Sequence, residues 1–109
     1  MTITYKVLGQ INPAANTTST IYTVPAATSV VISTVAICNL SSTATSFTLA
    51  VQPAAATLAA KHYLNYNTPL PPNDTITLTM GITMATTDIL TGSSTSSQVS
   101  FSVFGSEIS

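Results

Sequence analysis

Apolar and polar residues alternate along most of this chain in short runs. The alternation has the two-residue period of β-strands, and Pro, Asn, Gly and Ser separate the runs. No stretch keeps the period of an amphipathic helix. About eight strands at spacings of roughly 8 to 14 residues predict an all-β fold, an antiparallel β-sandwich of jelly-roll or Greek-key type. We expect them at residues 3–8, 18–24, 29–39, 46–52, 61–67, 74–80, 87–91 and 98–104.

Strand 29–39 is the most apolar of these runs, and it has apolar residues on both faces. This pattern predicts a central strand that is covered on both sides. The inward positions of this and other strands predict a core of ten side chains. They are Val30, Ile32, Val35, Ile37, Phe47, Leu49, Ile76, Leu78, Phe101 and Val103.

The connections carry their own signals. Pro53 stands at a plausible first helical position, so the Ala-rich segment 53–60 is predicted to hold a helical turn. Segment 68–73 contains three Pro and predicts a stiff turn, and 92–97 predicts a flexible loop. Gly81 predicts a bulge after strand 74–80, in which Met80 is expected to face inward.

Composition adds that the polar surface is built from hydroxyl groups. Thr and Ser fill 35 of the 109 positions, whereas only 5% of residues are charged and Arg is absent. Thr is β-branched and favours extended backbone, which agrees with the strand pattern. The length fits one domain that spans residues 1–109 and needs neither metal nor disulfide to hold its core.

The formal net charge of −1 offers little repulsion between copies and therefore favours association. It argues against nucleic-acid binding, which needs a basic stripe. Residues 1–10 lack the pattern of a signal peptide, and no apolar run approaches the roughly 20 residues of a membrane helix. We therefore expect neither nucleic acid nor membrane as a partner.

The residues that could carry catalysis are few and scattered. Cys38, the only cysteine, is predicted to be a buried, inert thiol. A dyad with His62 is formally possible, but burial in an apolar strand does not favour a thiolate nucleophile. Asp74 and Asp88 stand where strands begin and are expected to accept backbone hydrogen bonds in turns. We therefore predict no enzymatic activity and no catalytic, cofactor or metal site.

Tyr63 and Tyr66, near Lys61, His62 and Tyr5, form the most function-like group of residues. Exposed Tyr side chains are good interface anchors, although packing on the sheet explains them equally well.

Several short segments resemble small virion structural proteins of tailed bacteriophages, notably those that infect marine cyanobacteria. These segments mark turns and strand ends rather than a catalytic signature. They are 5–10 (YKVLGQ), 12–13 (NP), 22–26 (YTVPA), 37–39 (ICN), 61–63 (KHY), 73–75 (NDT) and 104–108 (FGSEI).

The resemblance implies a component of the phage particle and no catalytic or ligand-binding residue. The first expectation is a capsid decoration (cement) protein on the outer surface of the virion, made in the host cytoplasm. It would pack on the major capsid protein and on its own copies, with a trimer favoured. An alternative is a neck, tail or fibre component.

A further alternative, from the residues themselves, is a carbohydrate-binding module that uses Tyr63, Tyr66 or Tyr22 as a platform. The absence of Trp and the scarcity of Asp, Glu and Arg weigh against it.

Both ends of the chain are apolar, and free apolar ends are a liability. We therefore expect one or both termini to dock on a neighbouring subunit. The predicted interface residues are Ile3, Tyr5, Tyr63, Tyr66, Phe104 and Ile108.

Overall fold

A computed structural model describes all 109 residues, and it consists of two antiparallel β-sheets that share one hydrophobic core. The first sheet has the strand order β1-β9-β3-β6, with β7 also paired to β3, and the second has the order β2-β8-β4-β5. The predicted all-β antiparallel fold is confirmed, whereas the finer jelly-roll or Greek-key type stays a prediction. The strands are β1 (Ile3–Ile11), β2 (Ser19–Thr23), β3 (Ser29–Asn39), β4 (Thr45–Gln52), β5 (Tyr63–Leu70), β6 (Thr75–Leu78), β7 (Ile82–Met84), β8 (Ile89–Ser94) and β9 (Val99–Ile108).

The core lies between the sheets and contains the predicted side chains. All ten except Ile76 and Leu78 are buried, and those two pack against the core from β6 at the edge of the first sheet. Strand β3 is central in its sheet, but the prediction that both its faces are covered is wrong. Its burial alternates along the strand, and Val31 is exposed on the outer face, because no layer packs there.

The two ends of the chain pair with each other. Strand β1 lies beside β9 over its whole length, with Ile3 opposite Ile108. Beyond them, the Thr2 N–H donates to the Ser109 carbonyl at 2.6 Å, and the Ser109 N–H donates back at 2.9 Å. Each end of the chain is therefore tied down by the other, and the expectation that the termini dock on a neighbouring subunit stays a prediction.

The outer face of the second sheet is partly covered by segment 53–62. Ala50 and Gln52, which alternation alone would place in water, are buried. Gln52 donates from Nε2 to the Ala56 carbonyl at 2.7 Å and accepts at Oε1 from the Thr91 hydroxyl at 2.9 Å. The expected helical turn is present as a short 3₁₀ turn, Pro53–Ala55, and a second one spans Ala60–His62.

The predicted bulge at Gly81 is confirmed. Leu78 lies opposite Val35 and Ile82 lies opposite Ile32. The three residues 79–81 between β6 and β7 therefore face only the two residues 33–34 of β3. Gly81 has a φ of +60°, which costs glycine little, and Met80 is exposed beside it rather than inward.

Two predicted connections are shorter than expected, because the strands before them extend to Leu70 and Ser94. Strand β5 continues through Pro69, which an edge strand tolerates because the missing N–H breaks no ladder bond. Gly92 belongs to β8, where the absence of a side chain leaves room for the core, since a Cβ would lie only 3.1 Å from the ring of Phe101.

Candidate functional site

The residues considered for nucleophilic catalysis lie apart. Cys38 belongs to β3 in the first sheet, whereas His62 belongs to the segment beside β4 and β5 of the second. His62 is buried, and its Nδ1 accepts a hydrogen bond from the Ala59 N–H at 3.0 Å, which is a structural role. The prediction of a buried thiol is wrong, because Cys38 is only half-buried on the uncovered outer face of β3.

The two Asp side chains stabilise turns, as their positions predict. Asp88 accepts from the Ala54 N–H at 2.8 Å and from the Ala85 N–H at 2.9 Å. Asp74 accepts from the Thr75 N–H at 2.8 Å. No group of three or more His, Cys, Asp or Glu side chains is placed to hold a metal ion.

Glu107 is the centre of a charged network that the sequence does not reveal. Its carboxylate accepts a hydrogen bond from the buried Tyr22 hydroxyl and forms an ion pair with Lys6 Nζ at 3.3 Å. The Tyr22 hydrogen bond, with a smaller contribution from Lys6, lowers the pKa of Glu107. Burial, and then the carboxylate itself, raise the pKa of Tyr22. Because Tyr22 is buried, it is not the sugar platform considered above.

The outer face of the first sheet carries an apolar surface that we call the outer patch. Tyr5 is 82% exposed, and Ile3 and Val7 flank it on the same face of β1. The strand register brings β9 and β3 alongside them, because Ser106 lies opposite both Tyr5 and Val31. Large apolar side chains therefore cross three neighbouring strands. The outer patch consists of Ile3, Tyr5, Val7, Val31, Phe104 and Ile108, of which the last two are half-buried.

Strand β1 is also the least protected of the four sheet edges. Edge strand β5 contains Pro69, β2 has only five residues, and Gly81 interrupts the edge that β6 and β7 form. These features hinder the addition of another strand. Strand β1 keeps a regular register from Ile3 to Val7, and its one charge, Lys6, is engaged by Glu107.

A second surface, which we call the tyrosine cleft, lies on the outer face of the second sheet. The rings of Tyr63 and Tyr66 meet edge to face, with centroids 4.9 Å apart and planes at 72°. The cleft encloses about 200 Å³, and no charged side chain lines it. Its lining comprises Thr18, Thr48, Ala50, Leu58, Tyr63, Tyr66, Asn67, Thr91, Gly92 and Ser93.

The six predicted interface residues thus fall on two surfaces instead of one. Four of them join the outer patch, whereas Tyr63 and Tyr66 line the cleft on the other sheet. The sequence reasoning missed Val7 and Val31 as surface residues. A signal existed in β3, since apolar residues on both faces of a strand also arise when one face binds a partner.

Comparisons with protein-family models, with curated proteins and with solved structures find no match to this chain. The structure contains no helix of the length and apolar character needed to cross a membrane.

Proposed function

We propose that this chain is a non-enzymatic structural protein of a phage virion, a capsid decoration (cement) protein that docks through its outer patch. The resemblance in the sequence supplies the type of particle. The docking proposal is supported by the outer patch itself, in which Tyr5 and its neighbours are exposed to solvent although the chain is folded. Contiguous apolar surface of this kind is typical of protein-binding sites.

The chemistry of the patch suits a large protein partner. Tyr anchors are amphipathic and lose little conformational entropy when they are buried at an interface. The β1 edge beside the patch has unpaired backbone N–H and C=O groups, so a strand of the partner can add to the sheet while its side chains cover the patch. The partner is the major capsid protein or another virion protein on the outer surface of the particle.

We also propose that copies of the chain associate with one another, as a trimer. A net charge of −1 provides little repulsion between chains.

A jelly roll is the arrangement that we propose for the strands. Support comes from the strand order, because β1 and β9 are neighbours in one sheet, and most successive strands alternate between the sheets.

Binding of the purified chain to virions assembled without it tests the proposal. We expect Tyr5→Ser to weaken binding about 30-fold, since an aromatic hot spot contributes about 2 kcal/mol and each 1.4 kcal/mol is tenfold. The matched control is Tyr66→Ser, which removes an exposed Tyr from the opposite sheet and should leave binding unchanged. Equal binding by wild type and Tyr5→Ser contradicts docking through the patch.

Copy number per virion separates the two structural roles. Hundreds of copies indicate a shell protein, whereas a dozen or fewer indicate the neck, tail or fibre component that is our alternative. Quantitative mass spectrometry of purified virions measures this number.

A further inference from the structure

The tyrosine cleft combines an aromatic wall with a hydroxyl-rich lining. Tyr63 and Tyr66 provide the wall, and Leu58 extends its apolar surface. The hydroxyl-bearing residues that line the cleft are Thr18, Thr48, Thr91 and Ser93. At roughly 30 Å³ of liquid volume per water, the 200 Å³ cleft holds about six or seven waters, which is the scale of one small polar ring.

Hydrogen-bonding capacity remains in the cleft after the chain's own bonds are counted. The Thr48 oxygen accepts from the Asn67 N–H at 3.1 Å, so the Thr48 O–H proton is free to donate. The Thr91 hydroxyl, by contrast, is buried and donates to Gln52 at 2.9 Å, so it serves the fold rather than a ligand. The sheet side of the cleft therefore offers a hydroxyl donor opposite an aromatic surface.

The lining also contains no Lys, Asp or Glu. A charged ligand would lose hydration there without gaining a counter-charge, which costs much more than burying a hydrogen-bonded hydroxyl. The chemistry that fits both walls is a ring with an apolar C–H face and hydroxyl groups at its rim. We propose that the tyrosine cleft binds one ring of a neutral saccharide.

The position of the cleft keeps this site separate from docking. The cleft and the outer patch lie on the outer faces of two sheets that pack against each other, so they point in opposite directions. A protein bound at the outer patch leaves the cleft open. The saccharide site is therefore independent of the proposed virion role, and either can fail without the other.

NMR titration of the ¹⁵N-labelled chain tests the site. The probes are glucose, galactose, mannose and N-acetylglucosamine, with glucuronate as the anionic comparison. We expect at least one neutral sugar to shift the amide signals of residues 63–67 and 91–93 with millimolar affinity, and glucuronate to bind several-fold more weakly than glucose. No such shift with any neutral sugar, shifts that map to other surfaces, or equal binding of glucuronate overturns the proposal.

Two variants sharpen the test. Tyr66→Ala removes half of the aromatic wall at a position that is 66% exposed, so the fold is retained and binding should weaken about tenfold. Tyr5→Ala is the matched control, because it removes an even more exposed Tyr from the other sheet and should bind like wild type. Unchanged affinity in Tyr66→Ala overturns the proposal, and so does an equal loss in both variants.

Discussion

Glu107 shows how one residue can join both sheets of a weakly charged protein. It lies on β9 of the first sheet, and its carboxylate receives Lys6 from β1 and Tyr22 from β2 of the second sheet. Lys6–Glu107 is the only salt bridge in the structure. The network therefore couples the pairing of the chain ends to the packing of the two layers.

The lowered pKa of Glu107 predicts a loss of stability in acid. The folded state favours the carboxylate, so this contribution is complete above the ordinary carboxyl pKa and is lost as the pH falls through the folded value. Because the carboxylate is partly exposed, we expect the free energy of unfolding to fall by only about 1 kcal/mol from this cause. Urea unfolding between pH 7 and pH 3 measures this change. The Glu107→Gln variant should lose less stability over that range than the wild type. Equal acid slopes in wild type and variant contradict the assignment.

Tyr22 predicts the opposite dependence at high pH. Its pKa is raised on folding, so its contribution is complete below the ordinary Tyr pKa and is lost as the pH rises through the folded value. Tyr22→Phe should therefore lose less stability than wild type in alkaline urea unfolding. In the double variant with Glu107→Gln, the two effects should be less than additive, because both residues belong to one hydrogen bond. Full additivity contradicts their coupling.

The exposure of Cys38 predicts a mild substitution and a reactive thiol. Since the side chain is half-buried on an uncovered face, Cys38→Ser should change the free energy of unfolding by about 0.5 kcal/mol or less. Native protein should react with an alkylating reagent without denaturant, as mass spectrometry can follow. Protection of the thiol until the chain unfolds would restore the buried assignment.

Among the elements, β9 has a strict backbone requirement at Gly105. It lies between β1 and β3, and both neighbours carry a bulge beside Phe104. At Gly105 a Cβ would collide with the Val31 carbonyl and lie 2.9 Å from the Cα of Ile32. Only glycine allows β3 to approach this closely.

Gly105→Ala should therefore destabilise the fold, because β3 must move away from β9 to make room. Overpacking of this kind costs about 1–3 kcal/mol. The midpoint of urea unfolding measures it, and Ser100→Ala on the same strand is the control, with an expected change within about 0.5 kcal/mol. A Gly105→Ala midpoint equal to that of the control would show that the close approach is dispensable.

At the scale of the whole molecule, the pairing of the two ends predicts unequal effects of truncation. Removing residues 105–109 takes hydrogen-bonding partners from both β1 and β3, whereas removing residues 1–4 shortens only an edge strand. We expect the first truncation to unfold at a clearly lower temperature than the second, as measured by circular dichroism. The opposite order would contradict a central position of β9.

How far the sequence predicts this fold depends on how well polar residues mark the surface. In β3 the turns on either side give the bounds, but apolar residues on both faces predict two covered faces where only one is buried. In β1 the alternation is clear, but it does not show which face is buried. Thr4 on one face can lie in a core, and Ile3 on the other face can lie in an interface. With so few charges in the chain, periodicity defines two faces without saying which one is buried.

The sequence by itself determined the all-β class, most strand positions, eight of the sixteen buried core side chains and the roles of Asp74 and Asp88 in turns. These features depend on local alternation and turn chemistry, which act over a few residues. Only the tertiary structure decided that Ile3 lies beside Ile108, that Tyr22 reaches Glu107 and that segment 53–62 covers Gln52. Such contacts depend on how the layers pack and how distant strands align, and local periodicity carries no information about either.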